Sequence, residues 1–181
     1  LVLCASILLA QVNRFFYDYT YKLDSLHREN SESEMMVLDV SGNNSRFASY
    51  PKMVFDSTIS ATVKKSVMSG NTNFDFSGLK AGKVLWEVTK NIPEKTTLYI
   101  PISAERYALE NSGKLDWKIL PDKSEIEGFT VQKATIDLGG RQWIAWFASD
   151  IQIQDGPYRF CGLPGLILKL EDIKGDHIFT F

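Results

Sequence analysis

The chain has 181 residues, 44% of them apolar and 12% aromatic, and a formal net charge of -2. That length suits one ordinary domain with a real core, and the composition excludes an apolar-poor disordered chain. With no basic field to draw in phosphate backbones, nucleic acid is excluded as a partner class.

The first ten residues, Leu-Val-Leu-Cys-Ala-Ser-Ile-Leu-Leu-Ala, carry no charge. They read as the apolar centre of a secretory signal over 1–10, with the mature chain starting at Gln11. The run is too short to span a membrane, which takes about 20 apolar residues, and no transmembrane span is expected. Removing it removes Cys4 and leaves Cys161 as the single mature cysteine, so no intrachain disulfide is expected.

Strand signals then dominate. Phe15, Tyr17, Tyr19, Tyr21 and Leu23 recur at period two against Asp18, Thr20 and Lys22, the pattern of a half-buried strand. The polar stretch 25–34 reads as a loop, 34–40 as a second strand, and Ser41-Gly-Asn-Asn44 as a turn into a third over 46–50. One stretch departs from β. Between Asp56 and Ser69, the positions of Ile59, Val63 and Val67 predict a short helix, capped by Asp56 or Ser57 and ended by Gly70.

Beyond the polar run 71–82, strands are expected over 83–90, 96–102, 107–110, 117–120, 129–137 and 141–148. Asp137-Leu-Gly-Gly-Arg141 is a tight hairpin signal, because Gly139 and Gly140 accept the positive φ such turns require. Strands over 157–160 and 166–172 follow, and Lys174-Gly-Asp176 turns the chain into a last one from His177. That strand stops on Phe181 inside an apolar alternation, which predicts that the chain continues beyond it.

These elements predict a mainly β fold, with a single β-rich domain over 11–181. In it a curved antiparallel sheet or partial barrel wraps around one short helix. On the strand Arg141-Gln-Trp-Ile-Ala-Trp-Phe-Ala148, Trp143 and Phe147 share one face and Ile144 and Trp146 the other. Such a strand is covered on both sides, or one face lines a cavity.

Three ordered blocks carry a resemblance. They are Gly128-Phe-Thr-Val-Gln-Lys-Ala134, Gly140-Arg-Gln-Trp-Ile-Ala-Trp-Phe147 and Asp155-Gly-Pro-Tyr-Arg-Phe-Cys-Gly-Leu-Pro-Gly-Leu-Ile167. Together with the Tyr-rich first strand they resemble the GLPGLI family of exported proteins in Bacteroidota-type bacteria, named for the run Gly162, Leu163, Pro164, Gly165, Leu166, Ile167. The resemblance implies a secreted or periplasmic protein associated with outer-membrane, TonB-dependent uptake systems. It brings no catalytic residues to transfer.

The residues themselves say what the motif is suited to. In Leu163-Pro-Gly-Leu166, Pro and Gly occupy the central positions of a type II turn. Leu166, Leu168 and Leu170 then alternate with Ile167, Lys169 and Glu171, as in a strand with one buried face. With Gly156-Pro157 making a second bend, the plainer reading of the motif is a folding corner.

Candidate chemistry is sparse. Cys161 as nucleophile with His177 as base and Asp155 or Asp176 as orienter would make a thiol hydrolase, but a lone cysteine is more often a small apolar packing residue. His27 and His177 lack metal-ligand spacing, so neither a metal nor another cofactor is expected, and no catalytic motif stands out. Tyr17, Tyr19, Tyr21, Trp86, Trp143, Trp146, Tyr158 and Phe160 form an aromatic set that is either core or the wall of a pocket. The candidate binding residues are Arg141, Trp143, Trp146, Tyr158, Arg159 and Phe160. The function expected is a non-enzymatic envelope module that carries an apolar ligand or docks a partner; a structural surface protein is the other alternative.

Overall fold

The computed structural model describes residues 12–24, 29–70, 74 and 76–181. The expected signal, Cys4 and His27 lie outside them. Five strands lead one half of the chain: β1 (Asn13–Lys22), β2 (Ser31–Ser41), β3 (Asn44–Ser49), β4 (Glu87–Asn91) and β5 (Lys95–Ile102). Helix α1 (Tyr50–Ser69) stands between β3 and β4. Then come β6 (Glu105–Ser112), β7 (Lys118–Ile126), β8 (Phe129–Leu138), β9 (Arg141–Ala148), β10 (Leu166–Asp172) and β11 (His177–Thr180). Among the described residues the fold is mainly β with one helix, as the sequence predicts.

All eleven strands form one antiparallel sheet in the order β6-β5-β4-β3-β2-β1-β11-β10-β9-β8-β7. The sheet is open, since β6 and β7 do not pair, yet it cannot be flat. Laid flat, strands about 4.8 Å apart would put the two edges about 48 Å from each other. Only residues 113–117 connect β6 to β7, and such a link reaches at most about 20 Å. The sheet must therefore curl until its edges nearly meet.

Inside the curl lies the core. Tyr17, Met36, Leu38, Phe47, Val88, Ala145, Phe147 and Phe179 come from β1, β2, β3, β4, β9 and β11 and are all buried. Leu23, which shares the period-two pattern of β1, lies beyond its end and is exposed.

The helix is not what the sheet wraps. It starts six residues earlier than the valine spacing predicts, because Ser49 caps it, accepting from the Lys52 amide, with Pro51 in its first turn. Tyr50 thus ends the strand pattern by opening a helix. Gly70 closes it in the left-handed conformation, as expected. Val63 and Val67 are exposed, and Ser66 is the buried residue of α1. The helix lies against β2 and β3, where Tyr50 meets Phe16 edge-on at 5.3 Å. Phe16 points away from the core face of β1, so α1 starts on the outside. No helix among the described residues is long and apolar enough to cross a membrane.

Candidate functional site

What fills the curl is the connection between β9 and β10, residues 149–165, which contains most of the motif. This segment folds back on itself: the amides of Gly162, Leu166 and Ile167 donate to the carbonyls of Gln154, Ile151 and Asp155 at 2.9, 3.2 and 3.0 Å. Residues 157–160 are therefore not a strand. They make a turn in which Tyr158 has φ 54°, a left-handed conformation no strand residue adopts.

The GLPGLI run is also not a type II turn. A type II turn needs φ of about +80° at its third residue. Gly165 has φ 153°, and the Leu166 amide goes to Ile151 and not to Leu163. Instead the Gly165 amide donates to Leu163 at 2.8 Å across Pro164, a three-residue γ-turn. Gly165 is needed for closeness, because a Cβ there would lie 2.1 Å from the Ala148 carbonyl oxygen. Leu163, Leu166 and Ile167 are buried beneath this corner. A bulge between Ile167 and Lys169 then shifts the strand phase, so Leu168 and Leu170 do not continue the simple alternation from Leu166.

One buried ion pair holds the segment in place. Lys90, on β4, donates to the Asp155 carboxylate, to the Gly156 carbonyl at 2.6 Å and to the Phe160 carbonyl at 3.3 Å. Lys90 is 3% and Asp155 1% exposed. All three ammonium protons thus have acceptors, as burial of such a charge requires. Asp155 also accepts from the Gly156 amide at 2.7 Å, while its second oxygen has no partner. The Tyr17 hydroxyl donates to Ile167 at 2.8 Å, and burial pushes that hydroxyl's pKa up, which keeps it a donor. Trp117, from the link between the sheet edges, donates its indole N–H to the Cys161 carbonyl at 2.9 Å.

Between this plug and the two arms of the sheet lies a cavity of about 280 Å³. Leu98 and Ile100 line it from β5, Leu138 and Trp143 from β8 and β9, Tyr19 and Phe179 from the middle strands, and Tyr158, Arg159 and Phe160 from the plug. Trp86, Gly139, Arg141 and His177 complete the lining. The Phe160 ring packs on Trp143 at 4.8 Å, and Tyr158 meets Trp86 edge-on at 5.1 Å. Phe160, Trp143 and Phe179 are buried, whereas Trp86, Tyr158, Arg141, Arg159 and His177 are half-buried. The cavity thus has an apolar floor and an amphipathic mouth.

Five of the six candidate binding residues come together here: Arg141, Trp143, Tyr158, Arg159 and Phe160. Trp146 does not. It lies on the opposite face of β9, paired with Lys133 and Lys169, with the Lys133 ammonium 5.8 Å from its ring centre. One face of β9 therefore lines a cavity, the second of the two arrangements its pattern allowed.

Arg141 is held by Asp172 and Asp176 at 2.5 and 3.0 Å. His177 shares a hydrogen bond of 2.9 Å with the Tyr19 hydroxyl, and burial, helped by Arg141, lowers its pKa below the ordinary 6.5. The ring is thus neutral at pH 7. Cys161 opens onto a smaller side cavity with Arg159, Thr96 and Asn111, away from the cavity that His177 lines. Burial pushes its thiol pKa up, with Lys90 acting in the opposite direction, whereas a nucleophilic thiol needs it lowered. Among the described residues no cluster could hold a metal ion.

Lys90, Leu98, Ile100, Leu138 and Phe179 are the residues that sequence reasoning passed over. Lys90 did leave a signal: Trp86, Val88 and Lys90 share one parity while Glu87 and Thr89 share the other. A lysine on the apolar side of a strand is an inward charge in need of a partner.

The family described as "Protein of unknown function (Porph_ging)" matches residues 138–169, from the Gly139-Gly140 hairpin through the plug into β10. No curated protein matches the chain. Two crystal structures of PNGF-II, in space groups P21 and C2, are similar, each with a TM-score of 0.57. Identity is 13% and 12%, over 94% of this chain and 27% of that one. The chain therefore spans little more than a quarter of PNGF-II's length, and at that identity the likeness is one of fold alone.

Proposed function

We propose that this protein is a binding module without catalytic chemistry, whose cavity receives a small ligand with an aromatic or apolar body. The observation that carries the reading is the 280 Å³ cavity walled by Trp86, Trp143, Tyr158 and Phe160. Its size is near the lower end of natural ligand pockets, and its few polar groups sit where such pockets place the groups that orient a ligand. The Lys90–Asp155 clamp keeps the plug, and hence one wall, in a fixed position.

The module is further proposed to work as a single domain in the cell envelope, alongside an outer-membrane transport system. Support for that location is the apolar run 1–10 and the GLPGLI resemblance of the three blocks. An apolar ligand suits a carrier placed there.

The test is titration with N-phenyl-1-naphthylamine, a neutral aromatic probe that brightens on leaving water. Saturable binding is expected, with an affinity reduced in Trp86→Phe and Trp143→Phe and unchanged in Trp146→Phe. Probe binding that is unsaturable, or insensitive to both lining tryptophans, would remove the cavity as a ligand site.

A further inference from the structure

The charges around the cavity are unevenly balanced. Lys90 is closed off by Asp155 and two carbonyls, and Arg141 faces two carboxylates, Asp172 and Asp176. His177 is neutral at pH 7 because burial disfavours its charged form. Arg159 differs from all three. Its Nη1 donates to the Asn111 side-chain oxygen at 3.1 Å, with that amide turned to present oxygen, and its guanidinium lies 5.2 Å from the Tyr158 ring centre. Its Nε is buried and has no partner. Among the described residues no carboxylate pairs with it.

A guanidinium cannot shed its proton, so this positive charge is permanent. It stands in a half-buried wall where attraction to an opposite charge exceeds that in bulk water. Its fork geometry matches the two oxygens of an oxyanion.

We infer that the ligand of this cavity carries an oxyanion, a carboxylate or sulfonate-like group, on its aromatic or apolar body, and that Arg159 binds that group. The inference rests on the binding reading above. Phe160, Trp143 and Phe179 take the body on the buried floor, and Arg159 takes the charge at the mouth. Arg141, outnumbered by its two aspartates, is a positioning residue that holds β9 to the turn before β11.

The experiment compares two probes with the same anilinonaphthalene body, neutral N-phenyl-1-naphthylamine and anionic 8-anilinonaphthalene-1-sulfonate, on the full chain. The anionic probe is expected to bind about tenfold more tightly, as for one charge-assisted contact. Arg159→Gln should abolish that preference by weakening the anionic probe, whereas Lys64→Gln on the outer helix should leave both affinities and the preference intact. Rising salt should narrow the preference in the unaltered protein, which tests the charge without relying on the variant's folding. Equal affinity for the two probes, or a preference that survives Arg159→Gln, overturns the inference while the binding reading stands. Failure of both probes to bind overturns both.

Discussion

Lys90 shows how much one side chain decides in this protein. A buried ammonium is tolerable only when its protons are all accepted, and here Asp155, Gly156 and Phe160 accept them. Lys90→Met keeps the volume but leaves the Asp155 carboxylate in a dry interior without its counter-ion. A loss of about 3–5 kcal/mol is expected, measured by urea denaturation. The double variant Lys90→Met, Asp155→Leu should recover most of that loss, since it removes the orphaned charge as well. A single variant as stable as the parent would show that the pair is not what anchors the plug. Parity alone marked Lys90 as inward in the sequence. Its partner lies 65 positions away, and no local pattern encodes such a distance.

At the scale of elements, two glycines of one motif serve different ends. Gly162 has φ 87° and open space where a side chain would stand. Gly162→Ala therefore costs only the left-handed backbone penalty, roughly 1–2 kcal/mol. Gly165 presses against the end of β9, where a Cβ would meet the Ala148 carbonyl oxygen at 2.1 Å and its carbon at 2.6 Å. Backbone cannot give way as a side-chain tip can, so Gly165→Ala should separate β9 from β10 and lower the melting temperature far more than Gly162→Ala. Equal effects would mean that conformational freedom, not close approach, explains both positions. The Gly139-Gly140 and Gly42 turns were legible because two-residue hairpins depend on local φ alone. The γ-turn at Pro164 was not, because its flanking amide is drawn to Ile151, outside the motif. The helix start at Tyr50 was masked by an apolar residue that suits either a strand or a helix.

For the whole molecule, the curl makes stability uneven. β6 is exposed along its whole length and has a neighbour only in β5, whereas β1, β10 and β11 lie mid-sheet with buried side chains. Native-state hydrogen exchange should find the amides of Glu105–Ser112 opening first and those of β1 and β10 last. Uniform protection from β6 to β10 would contradict an open-edged sheet. The sequence by itself determined the strand content, most hairpins and five of the residues that meet at the cavity, because period-two burial and turn chemistry are local properties. Only the tertiary structure decided that the sheet curls around its own motif segment and not around the helix. It also decided that Trp146 faces away and that, among the described residues, no carboxylate pairs with Arg159. Those outcomes depend on contacts between elements far apart in the chain, where side chains select one another by shape and charge after the backbone pattern is set.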